Sequence, residues 1–131
     1  MLKGMVNLLS LKAIKEENSS LSPGAYLIKF GLVTFATTVG GNCICMDLNK
    51  INNREPRIVY ADHTWFSFDE ENRRVEFSLY PKEIPENDQI LSLDVIKKYL
   101  PEICETFSGF LVKVANEEFE DIEEYYEKIM I

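Results

Sequence analysis

Hydrophobic and polar positions along the chain fall into three regimes. In LLSLKAIKEEN (8–18), Leu8, Leu11 and Ile14 recur on one face, the spacing of a helix that ends near Asn18. The whole N-terminal stretch MLKGMVNLLSLKAIKEEN reads as helix rather than as a targeting segment. Its apolar part is interrupted by Asn7 and Ser10, and no A-x-A-like site follows. SSLSPG (19–24) is a loop. A second regime is rich in branched and aromatic residues: AYLIKF (25–30), VTFATTV (33–39), CICMDL (43–48), RIVYAD (57–62), TWFSF (64–68) and RVEFSLY (74–80) all read as strands. In the last of these, Val75, Phe77 and Leu79 alternate with Glu76, Ser78 and Tyr80, the period of a sheet with one face buried. NKINNREP (49–56) reads as a turn, and DEEN as the tip of a hairpin.

Beyond PKEIPENDQ (81–89), a connection, the period becomes helical. Ser92 is the expected N-cap of a helix carrying Val95, Ile96, Tyr99 and Leu100, which Pro101 breaks or restarts. Ile103, Cys104, Phe107, Phe110, Leu111 and Val114 continue the stripe. A final helix, N-capped by Asn116, places Phe119, Ile122, Tyr126 and Ile129 inward and its glutamates outward. Strands followed by helices predict an α+β domain spanning 1–131. Its antiparallel sheet of about five or six strands is covered on one face and packed against N-terminal and C-terminal helices.

Charge sharpens this picture. Residues 1–85 carry ten Lys/Arg and ten Asp/Glu, whereas residues 86–131 carry four Lys against twelve Asp/Glu, so the formal −8 of the chain resides in its last third. A basic footprint for phosphate is missing, which argues against nucleic acid, and an anionic membrane surface would repel that third. A basic protein partner would be attracted, chiefly through its rate of association. The three cysteines (Cys43, Cys45, Cys104) are too few and too odd in number for a disulfide framework, and point to a reducing cytoplasm.

The candidate chemistry is sparse. VGGNCICMDLN (39–49) has two glycines, but they open into a strand and not a helix, so they form a turn and not a phosphate cradle. The turn reading gives the glycines positive φ and lets Asn42 enter the left-handed region. Cys43 and Cys45 share one face of a strand, where small hydrophobes are expected rather than zinc ligands or nucleophiles. Asp47 and Asp62 suit backbone hydrogen bonds at strand ends; an acid/base site made from them with His63 is the enzymatic alternative. On a strand, adjacent Trp65 and Phe66 face opposite ways, so one is either exposed as an interface anchor or engaged in a cross-strand pair with the 74–80 strand.

GLVTFATTVGGNCICMDLN, a short polar insert, RIVYADHTWF and a late ETFSGFL together resemble the SUKH superfamily, which includes a fungal cell-wall-assembly regulator family and many bacterial immunity proteins. Gly31, Phe35, Ala36, Gly40, Gly41, Asn42, Asp47, Leu48, Val59, Tyr60, Asp62, His63, Phe107, Phe110 and Leu111 fit the family pattern in order and spacing. The pattern departs in its shortened lead-in, in Asn42 where an acid is common, in Thr106 where a serine is usual, and in an added acidic C-terminal helix. The resemblance implies a protein-binding module without enzymatic activity, cofactor or metal. Gly31, Gly40, Gly41, Asn42, Asp47, Phe107, Phe110 and Leu111 would be scaffold. The bacterial branch implies an immunity protein that neutralises a cognate toxin such as a nuclease by stoichiometric binding; the alternative is a regulatory or scaffold module with a host partner and no toxin. Asp62, His63, Trp65, Phe66, Glu120, Glu123 and Glu124 are the candidate partner contacts.

Overall fold

The computed structural model describes residues 6–21, 23–119 and 121–130. It is α+β. Strands β1 (Val6–Leu8), β2 (Leu32–Thr38), β3 (Cys43–Asn52), β4 (Glu55–Ala61) and β7 (Glu102–Cys104) form an antiparallel sheet in the order β1-β2-β3-β4-β7. A separate hairpin pairs β5 (Phe66–Asp69) with β6 (Arg74–Phe77). The helices are α1 (Leu11–Ser19), α2 (Gly24–Leu27), α3 (Leu93–Tyr99), α4 (Phe107–Ala115) and α5 (Ile122–Ile129).

Several expectations are corrected. Residues 6–8 are an edge strand and not the start of the first helix, and residues 1–5 lie outside the described residues. AYLIKF is helical: α2 passes into a 3-10 turn over Ile28–Phe30, which Gly31 ends at φ 82°. NKINNREP is not mainly turn; β3 and β4 run to Asn52 and from Glu55, leaving only Asn53 and Arg54, both at positive φ, to reverse the chain. Ile103 and Cys104 belong to a strand, because Pro101 stops α3 and the freed segment pairs with β4. Asn116 closes α4 rather than opening the next helix. The Ser92 cap stands, its hydroxyl accepting the Val95 N–H, and Thr106 caps α4 the same way through Gly109.

The sheet is covered on both faces, not one. Asn18 of α1 donates to the Thr34 carbonyl at 2.8 Å and accepts the Thr34 N–H at 2.8 Å, extending the sheet edge where β1 stops. Gly24 of α2 lies so close to Thr34 and the Glu17 carbonyl that a Cβ would collide. Thr34 in turn touches Cys45 at 3.4 Å. A register shift between Thr34 and Ala36 inserts Phe35 into β2. Phe35 packs edge-on against Phe107 and Phe110 of α4, while Tyr126 of α5 stacks on Tyr60 of β4 at 4.3 Å. β3 and β4 therefore carry near-continuous apolar runs, as strands buried on both faces must.

Asp47 is the exception within that interior. It is 1% exposed, and its direct cross-strand neighbour is Arg57, 7% exposed. Arg57 Nε donates to Asp47 Oδ2 at 2.7 Å; Asp47 Oδ1 accepts from the Asn49 N–H at 2.9 Å and from Asn49 Nδ2 at 3.1 Å. Asn49 Nδ2 also reaches the Phe30 carbonyl at 2.6 Å. Arg57 Nη1 lies 3.7 Å from Glu102 of β7. An isolated buried ion would cost several kcal/mol in lost hydration, so the pair is tolerated only with this full complement of partners. Arg57→Met, which strands the aspartate, is expected to lower urea-unfolding stability by about 3–5 kcal/mol, whereas the double variant Asp47→Leu/Arg57→Leu recovers most of that loss. A single-variant loss under about 1 kcal/mol would show that the aspartate is not held as described.

Candidate partner-binding surface

The turn between β2 and β3 is structural. Of the two glycines only Gly41 takes the positive φ expected of both, at 86°, and Asn42 does not enter the left-handed region. Instead its side chain is buried and ties three elements together. Asn42 Nδ2 donates to Tyr60 Oη at 2.7 Å; its Oδ1 accepts the His63 N–H at 3.1 Å and meets His63 Nδ1 at 2.7 Å. Facing that oxygen, Nδ1 is the ring nitrogen placed to donate. Burial, and then the Asp62 charge, push the Tyr60 phenol well above its ordinary range, so it stays neutral. Asp62 caps the next turn: its Oδ1 accepts from the Thr64 N–H at 2.8 Å and the Thr64 hydroxyl at 2.7 Å. Asp62 thus takes the backbone role expected of it, as Asp47 does at Asn49, but the Arg57 partner of Asp47 was not foreseen.

Trp65 and Phe66 do not provide an exposed anchor. Both are buried, at 3% and 7% exposure. A 3-10 turn over His63–Trp65 precedes β5, so the two residues do not alternate as on a strand. Trp65 packs edge-on to Tyr60 and Tyr80, and Phe66 pairs with Phe77. Of the pair Asp62 and His63, His63 is half exposed and open to a partner.

The acidic C-terminal residues divide. Glu123 turns inward: its Oε1 accepts the Gly40 N–H at 2.6 Å. A Cβ on Gly40 would meet that carboxylate at 2.6 Å, so glycine permits the contact. Glu124 is exposed and pairs with Lys128 one turn on at 3.1 Å. Glu120 lies outside the described residues. Leu111 is partly exposed on α4, while Phe110 is fully buried.

The acid/base alternative is not assembled as a trio: Asp62 Oδ1 lies 3.8 Å from His63 Nδ1, but Asp47 is remote from both. Asp47 and the Asn42–His63 contact lie five residues apart along β3, roughly 16 Å at the rise of an extended strand. Cys43 and Cys45 are buried side by side; burial pushes Cys43 up to about 11 and Cys45 higher still, so both stay thiols. Among the described residues no cluster of His, Cys, Asp and Glu could hold a metal, and no helix is long and apolar enough to cross a membrane.

Sequence reasoning missed a cleft of about 250 Å³ between the edge strand β7 and helices α4 and α5. Ile103, Phe119, Ile122 and Tyr126 give it an apolar lining, and Glu102, Lys113, Glu118 and Tyr125 complete its wall. Its signal in the sequence was Tyr125, a large aromatic just off the buried stripe; it is 56% exposed.

The position of α5, and with it one wall of the cleft, rests on the Tyr126–Tyr60 stack and the Glu123 latch. Glu123→Ala removes one charge-assisted hydrogen bond at a partly exposed site, a loss of about 1 kcal/mol. Hydrogen exchange over 122–129 is expected to quicken by roughly fivefold, with exchange in β3 little changed. Equal acceleration in both elements would mean that α5 does not open separately.

The model of the SMI1 / KNR4 family (SUKH-1) matches residues 3–113, which takes in the sheet, the Asn42 turn, the Asp47–Arg57 pair and most of α4. No curated protein and no solved structure matches the chain. With the match covering most of its length, the chain belongs to the SMI1 / KNR4 (SUKH-1) family.

Proposed function

We propose that this chain is a non-enzymatic protein-binding module, an immunity protein that neutralises a cognate bacterial toxin by stoichiometric binding in the cytoplasm. Family membership over residues 3–113 is the observation that carries the reading. Three features support it. Asp47 is engaged with Arg57, away from Asp62 and His63, and those two side chains are tied to Thr64 and Asn42. The net negative charge of the last third favours encounter with a basic surface, such as that of a nuclease. Three unpaired, buried thiols fit a reducing compartment. A regulatory or scaffold module shares the same fold and differs only in having no toxin to block.

The test is co-expression with each toxin candidate encoded beside the gene. Growth protection and a 1:1 complex on sizing with light scattering are the expected results, with association slowing several-fold as salt rises from about 0.05 to 0.5 M. No protection and no complex with any of them would remove the immunity reading and leave the regulatory one.

A further inference from the structure

We propose that the cleft between β7 and α5 is a receptor for one basic side chain, an arginine, presented by a protein partner. This rests on the protein-binding reading and names the chemistry of the contact. Small-molecule pockets occupy roughly 300–1,000 Å³, and at about 250 Å³ this one suits a single long side chain rather than a whole ligand. Its apolar part, Ile103, Ile122 and Tyr126, matches an aliphatic stem. Tyr125, more than half exposed beside it, offers an aromatic face on which a guanidinium can stack.

Charge selects the occupant. Glu118 and Glu102 stand at the cleft with Lys113 as the opposing charge. Glu118 carries no salt bridge to another described residue, and Glu102 is held only by long contacts, 3.9 Å to Lys50 and 3.7 Å to Arg57. In the sequence, residues 116–127 contain seven acids and no Lys or Arg. An anionic occupant would meet this field unfavourably; an arginine would gain a carboxylate and a ring together. The family match ends at residue 113, within α4, so α5 and Tyr125 lie beyond it. The cleft thus joins the family scaffold to a segment of this chain's own.

The experiment is NMR titration of the isotope-labelled chain with three capped heptapeptides, GSGRGSG and the same sequence with citrulline or glutamate at the centre. The expected result is that the arginine peptide shifts amides of 102–104, 118–119 and 122–126, while the other two bind at least about tenfold more weakly. Tyr125→Ala with Glu118→Gln, both at exposed positions, should reduce arginine-peptide affinity by a similar factor and leave the remaining spectrum unchanged. Shifts spread over the acidic surface without cleft preference, equal binding of the citrulline peptide, indifference to the double variant, or no binding at all would overturn the proposal. The readout needs no toxin, so a failed growth assay and a failed titration are separate results.

Discussion

The buried pair of Asp47 and Arg57 is the constraint around which the rest is arranged. Two opposite charges in direct register on the central strands cannot be left without further partners. Satisfying the carboxylate fixes Asn49, and Asn49 in turn holds the Phe30 carbonyl where the 3-10 turn gives way to β2. Satisfying the guanidinium draws Glu102 and therefore β7 to the sheet edge. One ion pair thus sets the β3–β4 register and the approach of segments far apart in sequence. A one-residue slip of either strand would turn its charge to the opposite face of the sheet and break the pair.

The opposite end of β3 has its own fastening, built without formal charge. Asn42 there binds the turn, Tyr60 and His63, and Tyr60 continues into stacks with Trp65 and Tyr126. The glycine turn that stands out in the sequence is thereby committed to internal contacts, with Gly40 receiving Glu123 from α5. The proposed partner surface lies along β7 and the outer side of α5. A scaffold whose central strand is fastened at its start and its middle, with a segment beyond the family match at one edge, is suited to rigid recognition, in which little ordering entropy is lost on association.

How much of this was legible in the sequence depended on where the deciding information lay. VTFATTV and CICMDL were readable as strands because burial on both faces leaves unbroken runs of β-favouring residues. AYLIKF has the same composition yet is helical; Pro23 before it and left-handed Gly31 after it are helix punctuation that outweighed propensity. The tips of β3 and β4 were polar and so looked like loop, because they extend past the core. β7 was hidden because three residues after a proline carry no period of their own. Asp47 was visible as a conspicuous acid, but Arg57 becomes its partner only once the hairpin register is known. Trp65 and Phe66 misled because strict alternation fails across a 3-10 turn. The cleft was the least legible feature, since its walls come from β7, α4 and α5, segments the sequence did not separate correctly.

The proposed recognition surface is the β7–α5 side, with the Asn42 turn as scaffold. Hydrogen–deuterium exchange of the chain, free and bound to its purified partner, tests that assignment most directly. New protection is expected at 102–104 and 122–126, with exchange at 40–47 unchanged. Protection centred on 40–42 and 62–64, with 102–104 and 122–126 unaffected, would contradict it.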